Sequence, residues 1–161
     1  MSLGLHEEKR SAALFADELT FARIGSEDAR LRFGLGGTGD VSFVDIVKPD
    51  APVRGRMGAG TIHHVAFRTT DDASQREWLE RITQLGLQVS PVIDRKYFHS
   101  IYFREPGGVL FEIATDGPGM AVDEREEHLG EALVLPQQYE SFRASLEHSL
   151  PPIVFPHLVR A

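Results

Sequence analysis

The 161-residue chain contains no cysteine, and this absence excludes several kinds of site. Disulfides, cysteine-based zinc sites, iron–sulfur clusters and thiol nucleophiles all need that residue. A metal ion could therefore be held only by histidine, aspartate and glutamate side chains. Seven histidines and 24 acidic residues are enough to build such a site.

Long apolar runs and an excess of positive charge are also lacking. No stretch approaches the roughly 20 apolar residues that a membrane-spanning helix needs, and the first residues lack the basic and then apolar pattern of a signal peptide. With 17 Lys and Arg against 24 Asp and Glu, the net charge of −7 disfavours nucleic acids and anionic membranes as partners. These features predict a soluble, cytoplasmic protein with neither kind of partner.

The most regular segment of the chain is Asp71 to Leu85. Apolar side chains recur there at helical spacing and Gly86 follows, so the segment predicts an amphipathic helix. The turn-forming sequence Glu105-Pro-Gly-Gly108 predicts a hairpin between the last two of the strands around this helix. Four segments have the composition of strands: 61–69, 87–93, 97–104 and 109–115. The predicted order is βαβββ.

The first third of the chain repeats this pattern, with a helix predicted around 11–19. Nothing strand-like is recognised before that helix, so this first unit is expected to be incomplete at its N-terminus. The predicted fold class is α+β, with tandem βαβββ units, the first incomplete at its N-terminus, and a C-terminal helix near 136–149. The predicted division is as follows: first unit 1–48, linker 49–60, second unit 61–116 and tail 117–161.

Alternation along the strands of the second unit separates an apolar face, expected to pack on the helix, from a polar face. The polar face contains His64, Tyr102 and Glu112. One imidazole and one carboxylate are two of the three ligands in the triad of two histidines and one carboxylate that binds non-haem iron. The alternative is an ordinary sheet in which the glutamate pairs with Arg95 or Arg104, since an unpaired buried carboxylate is costly.

Three individual positions need separate interpretation. His63 precedes His64 on the predicted strand, and alternation therefore points it toward the opposite face. Asp45 takes the position of Glu112 in the first unit, where no strand histidine accompanies it, so a structural role is expected. Tyr102 is either a hydrogen-bond partner for a substrate hydroxyl or an aromatic side chain of an ordinary sheet.

A series of linked motifs runs along the last hundred residues or so. They are Gly58-Ala-Gly-Thr-Ile-His-His-Val-Ala-Phe67, Asp94-Arg95, Tyr97-Phe98, Ser100-Ile-Tyr-Phe-Arg-Glu-Pro-Gly-Gly-Val-Leu-Phe-Glu-Ile-Ala-Thr-Asp116, Leu129-Gly130 and Leu135-Pro-Gln-Gln-Tyr139. Together they resemble the vicinal oxygen chelate superfamily of glyoxalases, bleomycin resistance proteins and extradiol dioxygenases. Within it, the chain is most similar to the C-terminal half of hydroquinone-type ring-cleaving dioxygenases.

The resemblance implies an enzyme that uses Fe(II), or alternatively Mn(II), and O₂ to open the ring of an aromatic diol. It implies His64 and Glu112 as metal ligands, with His63, Arg95 and Tyr102 as catalytic residues near the substrate. In that family a second histidine ligand comes from the first of four units, and no residue of this chain takes its place. We therefore expect either a homodimer or a missing N-terminal half, and an inactive site in this chain alone.

Two other functions stay open on the sequence. One is a metal-dependent isomerase or lyase of the glyoxalase type, which shares the fold but consumes no oxygen. The other is a non-catalytic module that binds a small molecule without a metal.

Overall fold

The computed structural model describes residues 1–5, 8–36, 42–50 and 58–151. Part of the predicted linker, residues 51–57, lies outside this described part. The chain forms two compact units, Met1–Gly117 and Pro118–Ala161. Among the helices within the described ranges, none is both long enough and apolar enough to cross a membrane.

The first βαβββ unit forms a four-stranded sheet with the strand order β1-β4-β3-β2. β1 runs parallel to β4, and the other neighbours are antiparallel. A helix and a π-helical turn lie between β1 and β2 in the chain. The elements are β1 (Ser2–Gly4), α1 (Glu8–Ala13), the π-helical turn (Leu14–Glu18), β2 (Ala22–Glu27), β3 (Arg30–Leu35) and β4 (Ser42–Val47).

The expectation that no strand precedes the first helix is wrong. Residues 2–4 form β1, in which Leu3 pairs with Ile46 of β4. Leu3 and Leu5 are buried and alternate with exposed residues, which is the pattern of a strand with one face on a core. Three residues are too few for this pattern to stand out in the sequence. The first unit therefore has all four strands, with a short opening one.

The second βαβββ unit repeats the arrangement, with the strand order β5-β8-β7-β6, and this confirms the predicted fold class. β5 runs parallel to β8, and the five-residue connection between β7 and β8 makes them a hairpin. The predicted strand 87–93 is reduced to β6 and a single bridge between Val89 and Phe103. The elements are β5 (Val65–Thr69), α2 (Asp72–Gln84), β6 (Ile93–Asp94), β7 (Phe98–Arg104) and β8 (Leu110–Pro118).

The bounds of α2 follow from its capping residues. Asp71 is the N-cap, and its carboxylate accepts a 2.8 Å hydrogen bond from the backbone N–H of Ser74. Gly86 follows the helix with φ of 74°, a conformation that glycine adopts without strain. The predicted helix Asp71 to Leu85 is thus confirmed to within one residue at each end.

One hydrophobic core is shared by the two βαβββ units. The ring of Phe15 lies 5.5 Å from that of Phe33 in the first unit and 5.7 Å from that of Phe111 in the second. The predicted apolar face of the second sheet is confirmed, because four of its side chains are buried: Ile101, Phe103, Phe111 and Ile113. This packing leaves the polar side chains of β7 and β8 on the other face.

The compact unit Pro118–Ala161 contains the predicted C-terminal helix. Its first part, Gln137–Phe142, is a 3₁₀ helix, and α3 (Arg143–Ser149) continues it. Arg143 links the two segments, since its guanidinium lies 2.6 Å from the carboxylate of Glu140.

Candidate functional site

Glu112 of β8 is the centre of a polar cluster on the second sheet. The residue is 3% exposed, and both carboxylate oxygens have partners. Oε2 lies 2.7 Å from Nε2 of His64. Oε1 accepts a 2.6 Å hydrogen bond from the hydroxyl of Tyr102 and a second one from the hydroxyl of Ser100. These contacts compensate for burial of a charge that would otherwise be costly.

The strand order explains why these side chains meet. β8 lies between β5 and β7, so a side chain on its polar face has a neighbouring strand on each side. On the β5 side, Ala66 pairs with Glu112. His64 lies two residues before Ala66, immediately before the start of β5. On the β7 side, Ser100 and Tyr102 are two residues apart and therefore share a face. The predicted grouping of His64, Tyr102 and Glu112 is observed.

The structure corrects the expected direction of His63. β5 begins at Val65, so both histidines precede the strand, and alternation does not force their rings to opposite faces. The Nδ1 atoms of His63 and His64 lie 2.9 Å apart, and their rings meet edge to face at 5.2 Å. If a neutral His64 donates its Nε2 proton to Glu112, its Nδ1 is an acceptor and His63 must be the donor.

Arg95 and Tyr102 form the outer side of the cluster. The guanidinium carbon of Arg95 lies 5.4 Å from the centre of the Tyr102 ring, within the range of a cation–π contact. The same ring meets that of His64 edge to face at 5.8 Å. Arg95 is presented by a tight turn in which Lys96 has φ of 71° and donates its N–H to the Asp94 carboxylate at 2.6 Å.

The corresponding carboxylate of the first unit is held very differently. Asp45 of β4 accepts hydrogen bonds from Arg32 at 2.7 and 2.9 Å and from Arg30 at 2.5 Å. These bonds, led by those from Arg32, hold the pKa of the Asp45 carboxyl well below its ordinary value. Asp45 is thus a partner in ion pairs, which fits the structural role expected for it.

The donor atoms of His64 and Glu112 fit two positions of an iron triad. Nε2 and Oε2 are the types of atom that Fe(II) accepts, and they lie side by side at 2.7 Å. Over residues 1–5, 8–36, 42–50 and 58–151, no group of three or more His, Asp or Glu side chains could hold a metal ion. Within that part of the chain, the cluster supplies two ligands.

Sequence reasoning missed Ser100 as a member of this cluster. Its position offers a signal, because it lies on β7 two residues before Tyr102 and so faces the same way. A serine in a strand is common, however, and only the packed structure places its hydroxyl on Glu112.

Comparison with known proteins finds a matching family profile and several similar proteins. The profile of the Glyoxalase/Bleomycin resistance protein/Dioxygenase superfamily matches residues 3–113. MhqO of Bacillus subtilis (strain 168) carries the provisional name of a ring-cleaving dioxygenase. It is 46% identical to this chain over 143 residues, and the match covers 89% of this chain and 45% of MhqO. The chlorohydroquinone/hydroquinone 1,2-dioxygenase of Sphingobium indicum is 38% identical over 120 residues, 73% of this chain and 36% of that enzyme.

A solved structure extends this likeness to the fold. The crystal structure of a protein from Bacillus subtilis subsp. subtilis str. 168, provisionally named a dioxygenase, superimposes with a TM-score of 0.85 at 42% identity. The match covers 95% of this chain and 49% of that one. The resemblance to ring-cleaving dioxygenases is therefore confirmed, and the chain spans less than half the length of these relatives.

Proposed function

Because the chain belongs to the glyoxalase/bleomycin resistance protein/dioxygenase superfamily, we propose that it is the metal-binding part of a ring-cleaving dioxygenase that opens an aromatic diol with O₂. His64 and Glu112 are its proposed ligands for Fe(II), with Mn(II) as the alternative. The observation that carries this proposal is the convergence of Nε2 and Oε2 at 2.7 Å on a polar sheet face. The hydroquinone dioxygenase among the relatives supports the class of substrate.

A bound Fe(II) ion would supply open coordination positions where the diol and O₂ meet, so that a bimolecular reaction becomes intramolecular. His64 would then present an unprotonated Nε2 and keep its proton on Nδ1. The bond between the two histidines would run from His64 to His63, the reverse of its direction when His64 donates its Nε2 proton to Glu112. A neutral His63 would then carry its proton on Nε2 and is suited to donate a hydrogen bond from there to an oxygen of the substrate.

Tyr102 and Arg95 are proposed to act on the substrate side. The hydroxyl of Tyr102 donates to Glu112 and keeps lone pairs that can accept a hydrogen bond from a diol hydroxyl. The guanidinium of Arg95, which lies over the Tyr102 ring, would favour the anionic form of the diol. The third metal ligand is proposed to come from a second copy of the chain or from an N-terminal half.

Iron content after anaerobic loading with Fe(II) tests this proposal. Wild type is expected to retain iron, and Glu112→Ala to lose it, because removal of Oε2 leaves one proposed ligand. Asp45→Asn is the matched control: it changes the equivalent carboxylate of the first unit and should keep wild-type iron content. Equal iron in wild type and Glu112→Ala would show that Glu112 is not a ligand.

Oxygen uptake with a hydroquinone then tests the reaction class. We expect that iron is lost in Glu112→Ala and that oxygen uptake by the iron-loaded protein depends on hydroquinone. Glu112-dependent iron without any uptake, measured with an N-terminal half or a dimer present, would contradict the dioxygenase and favour an isomerase or lyase.

A further inference from the structure

Ser100 contacts the candidate metal site without any role in the function proposed above. Ser100 is completely buried on β7, and its hydroxyl donates to Oε1 of Glu112. Tyr102 donates to the same oxygen at 2.6 Å. The other oxygen, Oε2, faces Nε2 of His64 at 2.7 Å. The two oxygens of one carboxylate are therefore held in different surroundings.

This asymmetry limits how Glu112 can bind a cation. A carboxylate oxygen has about two lone-pair positions, and two hydroxyl donors engage both of them at Oε1. A cation would meet available electron pairs at Oε2, next to the histidine. At Asp45, by contrast, guanidinium groups contact both oxygens, with Arg32 on Oδ1 at 2.7 Å and Arg30 on Oδ2 at 2.5 Å.

We propose that Ser100 is a positioning residue, which together with Tyr102 holds Oε1 of Glu112 and so presents Oε2 alone, beside His64, as a one-oxygen metal ligand. This inference rests on the proposed function, because that function assigns Glu112 to a metal ion. Ser100 acts through the carboxylate and touches neither the metal nor the substrate. Hydrogen-bond partners of metal ligands typically change metal affinity 10–100-fold when they are removed.

Three variants separate this role from a purely structural one. Ser100→Ala removes one of the two hydroxyls on Oε1, while Tyr102 still donates to it. Ser11→Ala is the matched control, because Ser11 is also completely buried and its hydroxyl donates to a buried glutamate, Glu105, at 2.5 Å. Ser100→Thr keeps a hydroxyl at the position and serves as the conservative rescue.

Two measurements on the full chain are compared across these variants. The first is the ¹⁵N chemical shift of His64 Nε2 without metal, which reports the contact with Oε2. The second is the dissociation constant for Mn(II) by titration calorimetry. In Ser100→Ala we expect a shifted Nε2 resonance and roughly tenfold weaker Mn(II) binding. Ser11→Ala should match wild type in both measurements, and Ser100→Thr should recover both.

The outcomes distinguish this inference from the function on which it rests. If Ser100→Ala leaves the His64 resonance and the Mn(II) constant unchanged, Ser100 has only a structural role and the inference is wrong. If wild type binds no Mn(II), the proposed function fails for this chain by itself. The His64 resonance without metal then decides whether Ser100 orients Glu112.

Discussion

At the scale of single residues, the donors around a buried carboxylate decide what it can bind. Asp45 and Glu112 occupy equivalent positions, since Ser2 of β1 pairs with Asp45 as Ala66 of β5 pairs with Glu112. Guanidinium groups balance the charge of Asp45. Glu112 instead meets two hydroxyls and an imidazole and no guanidinium among its described contacts, which is why the proposed function assigns the metal ion to Glu112. The proposed metal site therefore lies in the second βαβββ unit, at Glu112, and the equivalent position of the first unit, Asp45, is taken up by ion pairs.

This contrast predicts the effect of Tyr102→Arg. A guanidinium at this position would pair with Glu112 as Arg32 pairs with Asp45, and it should weaken Mn(II) binding at least roughly tenfold. Tyr139→Arg is the control, because Tyr139 is exposed in the other compact unit. Electron paramagnetic resonance of free Mn(II) measures the affinity. A dissociation constant in Tyr102→Arg equal to that of the control would contradict this explanation.

At the scale of elements, α2 is attached to β7 by a titratable ion pair. Nδ1 of His99 lies 2.6 Å from the carboxylate of Asp72 in the first turn of α2. The hydrogen bond to Asp72, with a smaller contribution from the charge of Asp94, raises the pKa of His99 above its ordinary value. The side chain of Gln75 adds a bond from α2 to the His99 carbonyl at 2.8 Å. Helix and sheet are therefore linked in a pH-dependent way.

A double-mutant cycle of His99→Gln and Asp72→Asn tests this link. Because the folded-state pKa of His99 is raised, the pair stabilises the fold fully below the unfolded pKa and loses this effect as pH rises through the folded value. The coupling free energy from urea unfolding should therefore be larger at about pH 5.5 than at about pH 9. The same cycle on Arg68 and Asp116, which has no histidine, should give equal couplings. A pH-independent coupling for His99 would refute the assignment.

At the scale of the whole molecule, contacts between the two βαβββ units predict that Met1–Gly117 unfolds as one cooperative structure. The ring of Phe15 from the first unit lies 5.7 Å from Phe111 of the second. The hydroxyl of Ser11 donates to Glu105 at 2.5 Å, and the guanidinium of Arg81 lies 3.1 Å from the carboxylate of Glu18. A substitution that destabilises the core of one βαβββ unit should therefore also destabilise the other.

The variant Phe15→Leu tests this cooperativity. Loss of the ring should lower the free energy of unfolding by about 1–3 kcal/mol. Trp78, the single tryptophan, lies on α2 of the second unit and packs against the core. In Phe15→Leu, the unfolding midpoint measured by Trp78 fluorescence should fall together with the midpoint measured by far-ultraviolet circular dichroism. Phe142→Leu, in the other compact unit, should change neither midpoint. An unchanged Trp78 unfolding midpoint in Phe15→Leu would mean that the two βαβββ units unfold independently.

The sequence by itself determined the regular elements and the apolar face. The helical spacing of apolar residues from Asp71 to Leu85 and the hairpin turn at Glu105-Pro-Gly-Gly108 are local signals, since they depend on residues near each other in the chain. The face that contains Phe103 and Phe111 follows from alternation alone. β1 escaped prediction because a strand of three residues has almost no pattern of its own. It forms through its pairing with β4, more than 40 residues later.

The side-chain chemistry of the site depends on the tertiary structure. Strand alternation placed His64, Tyr102 and Glu112 on one face, but it misplaced His63, since the start of β5 at Val65 is set by pairing with β8. The hydroxyl of Ser100 reaches Glu112 only because β7 and β8 are neighbours in the sheet. Sequence periodicity describes one element at a time. The surroundings of each carboxylate oxygen are instead decided by distances between elements, which exist only after the sheets have packed.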